Sequence, residues 1–309
     1  MKESCTIWCP GSVANINVGF DTLGFCLSDV GDLIRLEVCE KPGVHLGELQ
    51  GFSTPSLATD NVAIVAASST YRALRIEDRG VIVHIDKRIK PGSGVGSSAA
   101  SAVGASFGVN TLFEGHFTKN ELLPFCIDGE AVASKTRHAD NVAPALLGGF
   151  CLVVTQEDHR AVSLNTNLDL HYVVAHQQIE IKTSSSRTVI PSSIDLKLAI
   201  KQWSSLGGFT AALLQNDLDL LIHCAKDFIV EPYRKSSIPH FDSLKKAALD
   251  SGALIFGISG SGPSVFALCH RAEHAKSVRN AFDQYLTHKE HQYHLYSGAI
   301  EPKGTYEVL

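Results

Sequence analysis

The chain has 309 residues, 44% of them hydrophobic and 19% charged, with a formal net charge of -5. That balance fits a soluble globular protein long enough for two domains and excludes disordered or fibrous chains. No basic block awaits a nucleic-acid backbone, no apolar run reaches bilayer length, and Met1-Lys2-Glu3-Ser4-Cys5 lacks an apolar signal core, so a cytoplasmic protein without nucleic-acid or membrane partners is expected.

In chain order, CTIWCP (5–10) reads as a short strand ending at Pro10. The next stretch, GSVANINVGFDTLGFCL, crowds Gly11, Asn15, Asn17, Gly19 and Asp21 among apolar residues. It is either a loop carrying side-chain ligands or a tight turn of self-bonded Asn and Asp. DLIRLEVCE (32–40) alternates as a half-buried antiparallel strand does. After a turn at 54–58, a helix opens with Thr59 or Asp60 as its cap. The eight cysteines are scattered, and the closest pair, Cys5 and Cys9, has no second pair or His-x-x-x-His, so reduced buried thiols are expected.

GVIVHIDKRI (80–89) is a strand that feeds PGSGVGSSAASAVGA (91–105), where three glycines precede small hydroxylated residues that open a helix to Phe113. Strand, glycine loop and helix in that order make a phosphate cradle. It is not a Walker A loop, because no Gly-Lys-Ser/Thr follows, nor a Rossmann fingerprint. A hydroxyl at such a helix start can ligate Mg²⁺ held by the same phosphates. Thr118 with Glu121 signals a capping box, and Pro124 either kinks that helix or begins it. The helix carries Glu130, either a metal partner for Ser98 or a solvated acid. His138, Asp140 and Asn141 crowd before Pro144, as site residues do, ahead of a helical turn and a buried strand.

Beyond residue 160 come a strand (HYVVAHQ), a helical stretch at 192–228, strands ALIFGIS and SVFALCH around a GSGPS turn, a helix at 273–289 and a last strand near 293–297. That is a β-α-β-β-α-β order with inserted helices. Trp203, Leu206, Leu213 and Leu214, at helical spacing, read as core or dimer interface.

PGSGVGSSAAS resembles the second signature of the GHMP kinases, GISGSGPSVFAL (257–268) the third, and Pro10 to Leu27 the first. HADNVAPALLGGF, Asn15 and Asp21 of ANINVGFDTLG, and EPYR (231–234) resemble the branch that phosphorylates homoserine for threonine biosynthesis. The resemblance implies an α+β, two-domain fold. An N-terminal ATP-binding domain like the second domain of ribosomal protein S5 would span 1–160, and a ferredoxin-like domain 161–309. It implies ATP on Pro91, Gly92, Ser93, Gly94, Val95, Gly96, Ser97, Ser98, Ala99, Ala100 and Ser101, Asn61 near the adenine, and Mg²⁺ on Ser98 and Glu130. For L-homoserine it implies Asp21 at the ammonium beside Asn15, Arg187 and Arg234 at the carboxylate, and Thr183 and His138 as further contacts. Asn141 stands at the acceptor hydroxyl, where an amide orients but takes no proton. Lys87 and Lys90 have no spacing argument for a phosphate role. A homodimer is implied; another small-molecule kinase or a sensor on the same fold is the alternative.

Overall fold

The structure of the protein is a computed structural model that describes residues 2–155, 160–179 and 183–308, with only the backbone described at 183–185. Among the described residues, seven strands form the first sheet: β1 (Ser4–Ala14), β2 (Leu23–Cys39), β3 (Gly43–Gly51), β4 (Gly80–Lys87), β5 (Phe150–Val153), β6 (Ala161–Leu164) and β11 (Tyr306–Val308). Their order is β11-β1-β2-β4-β3, with β5 pairing the start of β2 and β6 pairing β5. Thus β6 and β11, both beyond residue 160, belong to the sheet that β1 begins.

Pro10 does not end its strand. The register of β1 on β2 shifts between Pro10 and Ser12, and a bulge absorbs the imino acid so that pairing resumes through Ala14 opposite Gly24. The expected long loop shrinks to residues 15–22, pinned between two strands. Strand β3 went unread because its sequence, GVHLGELQG, is half polar and its parallel partner β4 lies far along the chain.

Helices α1 (Val62–Ala73), α2 (Ser97–Leu112), α3 (Lys119–Ser134) and α4 (Val142–Leu147) cover this sheet. The density of small residues in α2 has a packing cause. A Cβ on Gly104 would stand 1.9 Å from Cys9 Sγ, so the helix lies close against β1. The cap of α1 is Asn61 rather than Thr59 or Asp60: its Oδ1 accepts from the N–H groups of Ala63 and Ile64 at 3.1 and 3.4 Å. Thr118 and Glu121 form the expected capping box, and Pro124 lies inside α3 rather than at its start.

The second sheet holds β7 (Leu170–Gln177), β8 (Ala253–Ile258), β9 (Val265–His270) and β10 (Tyr293–Ala299) in the order β10-β7-β9-β8. With α9 (Phe241–Asp250) and α10 (Ala272–Leu286) packed on it, this is the ferredoxin-like arrangement. Between β7 and α9 lie α5 (Thr183–Thr188), α6 (Leu196–Gln215), α7 (Leu218–Cys224) and α8 (Glu231–Arg234). On α6, Leu213 is buried while Trp203 and Leu214 are 56% and 55% exposed, so only part of that stripe is core.

The sheets share one core. Phe25 of β2 meets Phe150 of β5, Tyr172 of β7 and Phe266 of β9 at centroid distances of 5.6, 6.1 and 5.8 Å. Among the described residues, no helix is long and apolar enough to cross a membrane. All eight cysteines are free; Cys39 and Cys224 are half-buried and the other six buried.

Candidate active site

A cleft of about 730 Å³ opens where the glycine loop, the 15–22 loop, the start of α4 and the turn after β8 converge. Its floor is the loop 91–96. Gly92, Gly94 and Gly96 take φ of 73, 79 and 69°, in the left-handed region where glycine carries no Cβ penalty. Helix α2 starts at Gly96 without any side-chain cap, so its first N–H groups remain for an anion in the cleft.

The loop's carbonyls are held from behind. Ser259 Oγ donates to Gly94 O at 2.6 Å and Ser264 Oγ to Ser93 O at 2.5 Å, while Ser12 N donates to Val95 O at 3.2 Å. The GSGPS turn therefore fixes the loop's outer face, leaving the inner face to a ligand. Pro91, Gly92, Gly94, Gly96, Ser97, Ser98 and Ser101 line the cleft. Ser93, Val95, Ala99 and Ala100 are wholly buried and do not line the cleft. Asn61 also lines the cleft, but its amide is spent on the α1 cap and on Pro55 O at 2.8 Å.

Ser98 Oγ donates to Glu130 Oε1 at 3.0 Å, bringing together the expected metal pair from α2 and α3. The other carboxylate oxygen, Oε2, is buried without a hydrogen-bond partner. Burial pushes the Glu130 carboxyl up to about 7, against the Ser98 hydrogen bond and the charge of Lys87. Oxygen donors with an orphaned buried carboxylate oxygen beside a phosphate cradle suit Mg²⁺.

Lys87 lines the same wall but is not a free cation. Its ammonium donates to Asp32, to Ser97 O at 2.6 Å and to Ser101 Oγ at 2.9 Å, which uses all three protons. Asp32 also accepts the N–H groups of Arg88 and Ile89 at 2.8 and 3.0 Å. The pair bolts β2, β4 and the first turn of α2 together. Lys90 donates to Gln178 Oε1 at 2.8 Å.

In the same cleft, Arg187 Nη2 lies 2.7 and 2.9 Å from the two Asp21 oxygens. The same Nη2 donates to His138 Nε2 at 2.8 Å, so that nitrogen carries no proton. Arg234, 3% exposed, donates to Ser186 O at 3.0 Å and Gly260 O at 3.1 Å. Asn15 joins Gly260 O to Asp21 N, through bonds of 2.8 and 3.0 Å. Asn141 Oδ1 accepts from Ser12 Oγ at 2.9 Å. Asp140 beside it is buried, and its carboxyl is pushed up to about 7 by burial and by the charges of Asp21 and Glu130. The side chain of Thr183 lies outside the described residues.

Two groups escaped the sequence reading. Phe20, between the arginines, was hidden among the apolar residues of GFDTLGF. Asp32 was not singled out in its strand, although it stands in phase with Ile34 and Leu36, on the buried face, and that was available as a signal.

The GHMP kinase N-terminal domain model matches residues 61–149 and the GHMP kinase C-terminal model residues 209–288. A homoserine kinase of Methanococcus vannielii is 36% identical over 281 residues, covering 89% of this chain and 90% of that one. The chain belongs to the GHMP kinase family. As a GHMP kinase it is an ATP-dependent enzyme acting on a hydroxyl group. A homoserine kinase of Chloroherpeton thalassium is 34% identical over 295 residues, covering 92% of each chain. The crystal structure of a homoserine kinase from Cytophaga hutchinsonii superposes with a TM-score of 0.95 at 37% identity, covering 100% of this chain and 98% of that one. The L. major mevalonate kinase, at 18% identity and a TM-score of 0.73, shares the fold.

Proposed function

We propose that the cleft transfers the γ-phosphoryl group of ATP to the side-chain hydroxyl of L-homoserine, giving O-phospho-L-homoserine and ADP in threonine biosynthesis. The observation that carries this reading is the Asp21–Arg187 pair with Arg234 alongside, lining the same cleft as the uncapped start of α2. An anion and two guanidinium groups form the complement of an amino-acid zwitterion. Asp21 faces its ammonium, with Asn15 fixing the Asp21 backbone; Arg187 and Arg234 face its carboxylate, with His138 and Thr183 adjoining. The internal ion pair thus stands where the ligand's charges would go, and binding exchanges one set of partners for another.

Transfer is direct and in line. The homoserine oxygen bonds to the γ-phosphorus as the bond to the bridging oxygen of ADP breaks, its proton passing to an oxygen of the transferred phosphoryl group, so positioning and charge stabilisation supply the catalysis. Asn141 orients the attacking hydroxyl. The N–H groups of the 91–101 segment bind the phosphate oxygens. Ser98 and Glu130 would hold Mg²⁺, which supplies neutralisation of charge shared by the β- and γ-phosphates. Asn61 shapes the wall against which the adenine lies.

Residues 1–160 carry the ATP role and 161–309 supply the arginines. A cytoplasmic homodimer completes the proposal, its stoichiometry readable by sedimentation equilibrium. ADP release with homoserine, mevalonate, galactose and shikimate tests the reaction. Homoserine is expected to support turnover; turnover with another of these alcohols and none with homoserine overturns the reading.

A further inference from the structure

Two guanidinium groups rest on one ring. The guanidinium carbons of Arg187 and Arg234 lie 5.3 and 5.0 Å from the centroid of Phe20, within cation–π reach of about 6 Å. Like charges this close repel, and burial together with the charge of Arg187 holds the Arg234 pKa down to about 10. Asp21 offsets this at Arg187, whereas the hydrogen bonds of Arg234 go to main-chain oxygens. The charge of Asp21 reaches both cations, with those of Asp140 and Asp227 added at Arg234, and the face of Phe20 is the surface on which both guanidinium groups rest.

The backbone that presents Phe20 is built for the purpose. Asn15, Ile16, Asn17 and Asp21 all have positive φ, at 75, 38, 59 and 59°. Such a run of non-glycine residues persists only where the surroundings over-determine it. Here Asn17 Nδ2 donates to Ala225 O at 3.0 Å and Phe256 O at 2.9 Å, and Asn15 bonds Gly260 and Asp21. The strained segment borders the cleft, which Asn15, Phe20 and Asp21 line.

We infer that Phe20 is a positioning residue for acceptor recognition: its ring holds Arg187 and Arg234 together as a preformed fork for the acceptor carboxylate. The inference rests on the amino-acid acceptor proposed above. It separates Phe20 from ATP binding, since neither arginine serves the phosphate loop.

The test is a series at position 20 comprising Phe20→Leu, Phe20→Trp and phenylalanines of increasing ring fluorination, which weakens the ring's negative face at nearly constant size. The KM for homoserine should climb stepwise with fluorination and rise about tenfold in Phe20→Leu, with Phe20→Trp close to wild type. The KM for ATP should stay within about twofold throughout. If Phe20→Leu fails to fold, the fluorinated series decides. An active wild type with a flat fluorination series, or equal rises in both KM values, overturns the inference alone. A wild type without homoserine turnover overturns the functional reading and this inference with it.

Discussion

Glu130 shows how one residue couples stability to ligand. Its carboxyl is raised from 4.5 to about 7 by burial, with one oxygen unpartnered. A raised acid stabilises the fold fully below its unfolded value, near 4.5, and that contribution is lost as pH rises through about 7. Without ligands, Glu130→Gln should therefore melt above wild type at pH 8, by about 4 °C, with the gap closing at pH 5. Mg²⁺ with ATP should stabilise wild type and not the variant. Calorimetry across that pH range checks this, and a gap independent of pH contradicts it. Sequence made Glu130 a candidate by residue type alone, because pairing with Ser98 depends on how α3 docks against α2. Phe20 was illegible for a related reason: its two partners come from α5 and α8, far along the chain, and only the fold brings them to one ring.

Among the elements, those with local signals were readable. Thr118 and Glu121 announced α3, and the glycine loop announced α2, because caps and turns are chemistry between near neighbours. The amphipathic α9, with Phe241, Leu244 and Ala248 buried, carried a readable period that went unassigned. The loop–helix junction gives the sharpest test at this scale. A Cβ on Gly96 would meet Ser12 Oγ at 2.2 Å in a backbone with φ +69°. Ser12 in turn holds Asn141. Gly96→Ala should thus raise the KM for ATP at least about tenfold and lower kcat, since strain of about 1–2 kcal/mol adds to displacement of the orienting amide. Steady-state kinetics decide it; an unchanged KM for ATP would mean the junction tolerates a side chain.

At the scale of the whole molecule, the resemblance supplied the two sheets, but strand exchange between them was invisible in sequence. Tyr306–Val308 returns to pair β1, and Thr305 Oγ1 donates to Ala145 O at 2.9 Å, bracing α4. Removing residues 305–309 should lower the melting temperature by about 3–6 °C and slow turnover, because Asn141 is the N-cap residue of α4. Calorimetry with an ADP-release assay reads both; an unchanged melting temperature would show the strand to be dispensable. The ring cluster of Phe25, Phe150, Tyr172 and Phe266 has a different consequence. It ties the two sheets through one packed set of rings, so the phosphate loop and the paired arginines are carried on a common core. Such a frame works as a gauge. An amino alcohol one methylene too short, gripped by the same charges, holds its oxygen back from the phosphorus, and reach becomes as selective as charge.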